Sequence, residues 1–218
     1  SRAASPSFPS RSMKTSAPVS TTNTVPASGI TPEAIEALLP QTQCRQCGFD
    51  GCAQYAAAIA AHRAPINRCA PGGAAGIEKL ARAMHEEPIA LDPEYGQELP
   101  YSVARIRSHA CIGCGLCAAA CPVEVISGVP KHLYAVIEPY CTGCGLCVCA
   151  CPVNAVDMLE AGRKWTDDDA KAARQRYHEA RERRARIRRE RTAAVAHDAA
   201  TRASVLAAVL AKAGAKPQ

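Results

Sequence analysis

The sequence predicts an α+β protein made of a small helical N-terminal module, a compact cysteine-rich domain and a long C-terminal helix. Three observations lead to this prediction: four cysteines early in the chain, a thirty-residue repeat that carries eight more, and a final stretch without glycine or proline until Gly214. With 13 cysteines among 218 residues, thiol chemistry is the first expectation for function.

The N-terminal tail, residues 1–29, is predicted to be disordered because it is rich in Ser, Thr, Pro and Ala and contains no acidic residue. It lacks the apolar core of a secretory signal, and an organelle transit peptide is disfavoured because amphipathic spacing is missing. No run of 18 apolar residues occurs in the sequence. We therefore expect a cytoplasmic protein without a transmembrane segment, in which spaced cysteines bind metal rather than form disulfides.

Residues 30–90 are predicted to form the N-terminal module. In "TPEAIEALLP", Thr31 can cap a helix that starts at Pro32 and ends before Pro40. Two further helices are predicted, in "CAQYAAAIAAHRAP", stopping before Pro65, and in "GIEKLARAMHEE". Residues 91–100 are predicted to be a linker.

The cysteines of this module follow the spacing C-x2-C-x4-C-x16-C, formed by Cys44, Cys47, Cys52 and Cys69. A loop with Gly48 and Gly51 followed by a returning helix makes a closed four-thiolate site plausible. By spacing alone, a zinc ion, an iron-sulfur cluster and uncoordinated thiols all remain open.

Residues 101–161 contain the repeat, and each half reads C-x2-C-x2-C-x3-C-P. This is the run of bacterial two-cluster ferredoxins, in which the fourth cysteine binds the other cluster, so we predict a ferredoxin-like domain with two 4Fe-4S clusters. A zinc site would favour a longer gap between paired cysteines. One cluster is predicted on Cys111, Cys114, Cys117 and Cys151, and the other on Cys141, Cys144, Cys147 and Cys121.

Three other features of the repeat carry expectations. Its glycines are expected to let backbone N–H groups approach the sulfur atoms, where hydrogen bonds tune cluster potentials. Cys149 stands where the first half has Ala119, so it is expected to be a small buried thiol, with a ligand or redox-active role as the alternative. His109 is expected to face solvent rather than bind metal.

Residues 165–214 are predicted to form one or two helices, which Thr166 can cap and which begin with three aspartates. Nine arginines lie between Arg174 and Arg191. A plain solvated helix is the leading interpretation. A docking helix for an acidic redox partner and a peripheral membrane contact are the alternatives.

The combined pattern resembles a known family, the B subunits of Rnf-type (also called Rsx) electron transport complexes. The resemblance covers about residues 31–160, including "LPQTQCRQCGFDGCAQYAAAIA", "INRCAPGG", "CIGCGLCAAACPVEVI" and "CTGCGLCVCACPVNAVDML". It implies a third 4Fe-4S cluster, on Cys44, Cys47, Cys52 and Cys69. It also implies electron exchange with redox partners, including other Rnf subunits, at the inner face of a membrane.

The leading hypothesis is therefore an electron carrier without a catalytic site of its own. No P-loop, dinucleotide-binding glycine motif or nucleophile with a paired base is present in the sequence. A soluble ferredoxin, or an electron-transfer subunit of another oxidoreductase, is the alternative. A nucleic-acid-binding protein with structural clusters is disfavoured because aromatic residues are scarce and glutamates interrupt the arginines.

Overall fold

The computed structural model describes residues 29–214, so the predicted disordered tail lies outside the described residues except for Gly29. Within this range three helices precede a region with two small antiparallel sheets and two short helices, and a long helix follows, in agreement with the α+β prediction. The helices are α1 (Pro32–Leu38), α2 (Cys52–Ala60), α3 (Gly73–Met84), α4 (Leu116–Ala120), α5 (Leu146–Ala150) and α6 (Asp167–Gly214). The strands are β1 (Ser102–Ile106), β2 (Ile126–Ser127), β3 (Ala135–Val136) and β4 (Val156–Glu160).

Among residues 29–214 the chain divides into two compact units, and the boundary between Arg176 and Tyr177 falls inside α6. The first unit contains every cysteine. Its hydrophobic core lies among α1, α2 and α3, where α3 contributes apolar residues at helical spacing, namely Ile77, Leu80, Ala81 and Met84. Cys47, Cys52 and Cys69 belong to the same core, so the thiols are part of the packing that holds these helices together.

α1 and α2 start where the sequence predicts, α3 begins at Gly73 rather than at Gly76, and two helix ends differ from the prediction. Thr31 caps α1, its hydroxyl oxygen accepting from the Ala34 N–H at 3.3 Å. α2 ends at Ala60 rather than before Pro65 because His62 adopts a left-handed φ of 50° and the Arg63 N–H bonds back to the Ala58 carbonyl. His85 ends α3 in the same way, with φ 57°.

The predicted repeat is also a structural repeat. β1 pairs with β4 over Ser102–Ile106 and Val156–Glu160, and β2 pairs with β3 over Ile126–Ser127 and Ala135–Val136. Each half therefore places a cysteine loop and a short helix, α4 or α5, between two strands. The strand before the first loop pairs with the strand after the second, which ties the two halves together.

Residues 91–100, predicted to be a linker, are ordered and lie against the N-terminal helices. The Asp92 N–H donates to the Asn67 carbonyl at 3.0 Å, and the Arg68 guanidinium lies 4.5 Å from the centre of the Tyr95 ring. A carboxylate oxygen of Glu98 accepts from the Ala74 N–H at the start of α3, at 3.1 Å. These contacts hold the segment against the first module.

The start of α6 is anchored by the residues around it in the first unit. The Trp165 indole N–H donates to the Pro40 carbonyl at 2.9 Å, and its ring centre lies 5.0 Å from that of Tyr101. Arg174 reaches the buried Glu36 of α1 at 2.8 Å. Trp165 thus contacts both the N-terminal segment and the start of the repeat.

The second unit is described from Tyr177 to Gly214 and consists of the rest of α6. An ion pair joins Asp198 to Arg202 at 2.8 Å, one helical turn apart. An 18-residue window of α6 reaches a mean hydropathy of 1.2 with no more than two charged residues. By length and composition alone this window meets the requirement for a membrane-spanning helix, so the expected absence of such a segment is not confirmed.

Candidate metal centres

Each of the three predicted cysteine sets lines its own cavity. The outer site is lined by four cysteines, Cys111, Cys114, Cys117 and Cys151. The central site is lined by Cys121, Cys141, Cys144 and Cys147. The N-terminal site is lined by Cys44, Cys47, Cys52 and Cys69.

The crossed arrangement in the repeat follows from where the short helices end. Cys117 and Cys147 lie on α4 and α5 and face the cavity of their own half. Cys121 and Cys151 are the residues at which these helices stop, and their extended backbone turns the thiol towards the other cavity. The structure thus brings together the sets that the spacing predicted.

Backbone N–H groups approach several of these sulfur atoms. The Val125 N–H donates to Cys121 Sγ at 3.5 Å and the Ala155 N–H to Cys151 Sγ at 3.2 Å, at equivalent positions of the repeat. The Ala104 N–H, from β1, donates to Cys141 Sγ at 3.5 Å. Such bonds stabilise negative charge on sulfur.

Glycine is required in the cysteine loops for conformation and for space. Gly113 and Gly143 both have a φ of 69°. A Cβ at Gly113 would lie 2.6 Å from the His132 carbonyl oxygen, and one at Gly143 would lie 2.6 Å from that of Ser102. No larger residue fits either loop without movement of the neighbouring backbone.

Burial opposes the thiolate form of several cysteines at the N-terminal and central sites when no metal is bound. Desolvation is the largest effect: it raises the pKa of Cys47 to about 11 and the pKa values of Cys52, Cys144 and Cys147 to about 12. Neighbouring thiols raise them further by charge repulsion. Thiolates at these two sites therefore need a positively charged group between them, which a bound metal or iron-sulfur cluster would supply.

The number of cysteines at each site fits an iron-sulfur cluster. Each cavity is lined by four cysteines, which is the ligand number of a 4Fe-4S cluster and also of a four-thiolate zinc site.

A buried hydrogen bond connects the N-terminal and central sites. The Thr142 hydroxyl donates to the Thr42 carbonyl oxygen at 3.1 Å. Thr42 lines the N-terminal site and Thr142 the central site, and the two residues are 6% and 2% exposed. The loop before Cys44 and the loop after Cys141 are therefore in direct contact.

This pair was not predicted from the sequence, although the repeat contains a hint. Thr142 is equivalent to Ile112, and the two residues differ in environment: Ile112 is 60% exposed at the outer site, whereas Thr142 is covered. This repeat position therefore carries a polar residue in the half that contacts the N-terminal site and an apolar residue in the other half.

A second group that was not predicted is the pair of buried glutamines before the N-terminal site. Gln43 accepts from the Cys52 N–H at 3.0 Å, and its amide donates to the Gln41 side-chain oxygen at 3.1 Å. Gln41 in turn donates to the Glu36 carbonyl of α1. These bonds hold a loop whose residues Gln41 and Gln43 have positive φ angles.

Two expectations about single residues have different outcomes. His109 is exposed, as predicted. The expectation that Cys149 is a buried thiol is wrong, since Cys149 is exposed. Cys147 faces the central cavity from α5, and a residue two positions further along a helix points about 200° away from it.

Comparison with known proteins agrees with this geometry. Residues 39–71 match the family described as a putative Fe-S cluster, and residues 104–158 match the 4Fe-4S dicluster domain. The chain is 55% identical over 130 residues to the B subunit of the ion-translocating oxidoreductase complex of Stutzerimonas stutzeri, covering 60% of this chain and 67% of that protein. The chain belongs to the family of ion-translocating oxidoreductase complex B subunits. The predicted resemblance to Rnf-type B subunits is confirmed.

Other B subunits match over shorter regions. That of Thiobacillus denitrificans is 53% identical over 105 residues, covering 48% of this chain and 56% of that protein. That of Azoarcus sp. is 51% identical over 107 residues, covering 49% of this chain and 58% of that protein. The chain thus spans a little over half the length of these two curated relatives.

Proposed function

We propose that this chain is an electron-transfer subunit that relays electrons through three 4Fe-4S clusters. The observation that carries the proposal is the presence of three separate cavities, each lined by four cysteines. The family matches support it for the repeat as a dicluster domain and for residues 39–71 as an iron-sulfur module.

The proposed ligands follow the cavity linings. One cluster would be held at each of the N-terminal, central and outer sites by the four cysteines that define that site. A 4Fe-4S cluster supplies a group that accepts and donates one electron at a time. The protein holds the thiolates, donates N–H groups to Cys121, Cys141 and Cys151, and keeps water from the buried sulfur atoms.

The sites are proposed to act in the order N-terminal, central, outer, or the reverse. The central site is the one that contacts both others: Thr142 joins it to the N-terminal site, and the exchange of Cys121 and Cys151 joins it to the outer site. Cys114 of the outer site is exposed, which gives a redox partner access to that end.

The proposed partners are other members of an ion-translocating oxidoreductase complex, because the relatives are named as B subunits of such a complex. A location at a membrane is proposed because translocation of an ion requires one, and the inner face is proposed on the family resemblance. The electron carriers that meet this chain would be other redox proteins, since the three cavities described above are lined by cysteines and suit clusters rather than an organic substrate.

The crossed ligand sets provide a direct test with paired alanine substitutions. If Cys151 completes the outer site, Cys111→Ala with Cys151→Ala damages one site, whereas Cys111→Ala with Cys121→Ala damages two. Counting intact 4Fe-4S clusters by Mössbauer spectroscopy should then give two for the first variant and one for the second. The reverse result would show uncrossed ligation, and Cys149→Ala is the matched control that should keep all three.

A further inference from the structure

The second unit carries two features that the cluster sites do not use. Between Tyr177 and Arg191 the helix has seven arginines and three glutamates, a formal net charge of +4. Beyond this Arg-rich segment (177–191), Val205, Leu206, Val209 and Leu210 are each 56–61% exposed. The matched family domains end at residue 158, so they assign no role to either feature.

The two features share one side of the helix. At 100° per residue, Val205, Leu206, Val209 and Leu210 lie on one face, which we call the apolar face. Arg181, Arg184, Arg188 and Arg191 project to the same side about four to seven turns earlier. Val195 and the Asp198–Arg202 ion pair lie between them and the apolar face. The opposite side carries Ser204, Ala208 and Ala211.

We propose that this part of α6 binds the surface of an anionic lipid bilayer, lying in the plane of the interface. The arginines contact lipid phosphates, and the apolar face enters the boundary between headgroups and acyl chains. A basic segment beside exposed Val and Leu side chains matches the charge and the polarity gradient of such a surface.

Other occupants fit these residues less well. Nucleic acid would use the arginines but leave the apolar face in water, and no Phe, Tyr or Trp follows Tyr177 in the sequence to stack on bases. A coiled coil needs apolar positions sustained over three or four heptads, whereas Asp198 and Arg202 interrupt the side that carries Val195 and Leu206. The same ion pair would lie inside a membrane-spanning segment, where charge is costly.

Flotation of the full-length chain with lipid vesicles tests the proposal. We expect binding to vesicles of equal parts phosphatidylglycerol and phosphatidylcholine, and little binding to phosphatidylcholine alone. Leu206→Gln with Leu210→Gln should raise the lipid concentration for half-saturation at least about tenfold. The matched control, Ala208→Gln with Ala211→Gln on the opposite side, should stay within about twofold of the unmodified chain, and iron content should be unchanged in both.

The arginines are tested in the same assay by two triple substitutions to Gln. Arg181, Arg188 and Arg191 lie on the proposed lipid side, and their loss should weaken binding by at least about tenfold. Arg183, Arg186 and Arg189 lie on the other side, and their loss should weaken it by less.

Several results would overturn the proposal. These are the absence of vesicle binding, equal effects of the paired variants, or a dimer in solution that Leu206→Gln with Leu210→Gln dissociates. Binding that resists extraction with alkaline carbonate would show a membrane span instead of an interfacial helix. Because lipid binding is measured without electron transfer, its failure would leave the proposed relay function standing.

Discussion

Thr142 is the residue through which the central site meets the N-terminal site. Its hydroxyl is buried and donates to the Thr42 carbonyl. Each group has therefore replaced a hydrogen bond to water with a hydrogen bond to the other. A buried carbonyl that loses its donor bears a desolvation cost. The contact between the two loops is therefore sensitive to a single oxygen atom.

Thr142→Val should weaken the junction between the two sites. Valine has nearly the same shape but no hydroxyl. We expect the free energy of unfolding to fall by about 1–3 kcal/mol, because the Thr42 carbonyl stays buried without this donor. Loss of cluster absorbance in a guanidinium titration measures the effect. Thr142→Ser, which keeps the hydroxyl, should remain near the unmodified protein, and equal midpoints for Val and Thr would contradict the proposed role of this hydroxyl.

Gly113→Ala and Gly143→Ala should each lower iron occupancy at the site whose loop they change. Alanine at a φ of 69° is strained by about 1–2 kcal/mol, and its Cβ would also meet backbone at 2.6 Å. Iron per chain in the purified protein is the measurement. The control is Gly76→Ala in α3, where the added Cβ has no neighbour within 4 Å. It should leave iron occupancy unchanged and stabilise the folded protein by about 0.5–1 kcal/mol.

At this scale the sequence is informative about ligands and less so about their surroundings. Spacing predicted the two crossed cysteine sets of the repeat, because ligands on one loop must recur at fixed separations. For the N-terminal set spacing left zinc, a cluster and uncoordinated thiols open, and the family resemblance implied the cluster. It did not predict Thr142 or Gln43, since a threonine or glutamine in a loop is ordinarily solvated and its burial depends on a distant segment. Cys149 was misplaced because the repeat gives position along the chain and not the direction of a helix face.

At the scale of elements, the start of α6 is fixed by reciprocal hydrogen bonds. The Asp169 N–H donates to the Thr166 hydroxyl at 3.2 Å, and the Thr166 N–H donates to the Asp169 carboxylate at 2.9 Å. Arg163 also pairs with this carboxylate at 2.6 Å. This is a capping box with aspartate in the place of glutamate.

Thr166→Ala should destabilise this helix start by about 1 kcal/mol, since it removes the capping oxygen. Trp165 is the only tryptophan in the chain, so its fluorescence reports the junction during unfolding. Asp168→Asn is the control because Asp168 is highly exposed and pairs with Lys171 on the helix surface, so little change is expected. A larger effect from Asp168 than from Thr166 would contradict the capping interpretation.

The same box predicts a pH dependence. Hydrogen bonding to Arg163 lowers the pKa of Asp169 from 3.8 to about 2, with further contributions from Thr166. A lowered folded-state pKa means that the stabilisation is complete above about pH 4 and is lost as the pH falls towards 2. Asp169→Asn should remove this part of the acid sensitivity of the Trp165 signal.

Element boundaries show where sequence patterns stop being sufficient. Thr31 and Thr166 are recognisable caps, and both helices start where predicted. The ends of α2 and α3 fall earlier than predicted because His62 and His85 take the left-handed conformation that glycine usually provides. A histidine in the sequence does not predict a helix end. Its positive φ is set here by the backbone N–H to carbonyl hydrogen bonds that close the last turn of the helix.

At the scale of the whole molecule, the order of the three sites depends on contacts between residues about a hundred positions apart, such as Thr42 with Thr142. Local spacing groups the cysteines into sets but does not indicate which sets are neighbours in space. The ordered segment 91–100 and the contacts of Trp165 are likewise long-range features that periodicity does not show.

Removal of the clusters should unfold the first unit around its cysteine sites. Cys47, Cys52 and Cys69 form part of the hydrophobic core, so a loss of ligation leaves buried thiols around a cavity. Limited proteolysis before and after anaerobic chelation should reveal new cleavage sites between residues 40 and 160. Identical cleavage patterns would show that side-chain packing alone maintains this unit.

Metal analysis decides whether the chain holds three 4Fe-4S clusters. Iron, zinc and acid-labile sulfide should be measured on protein purified without oxygen, with electron paramagnetic resonance after dithionite reduction. Three clusters require about twelve irons and twelve sulfides per chain, four of each at every site, with reducible spectra. About eight irons with one zinc would contradict the three-cluster relay, because the N-terminal site would then be structural and no part of it.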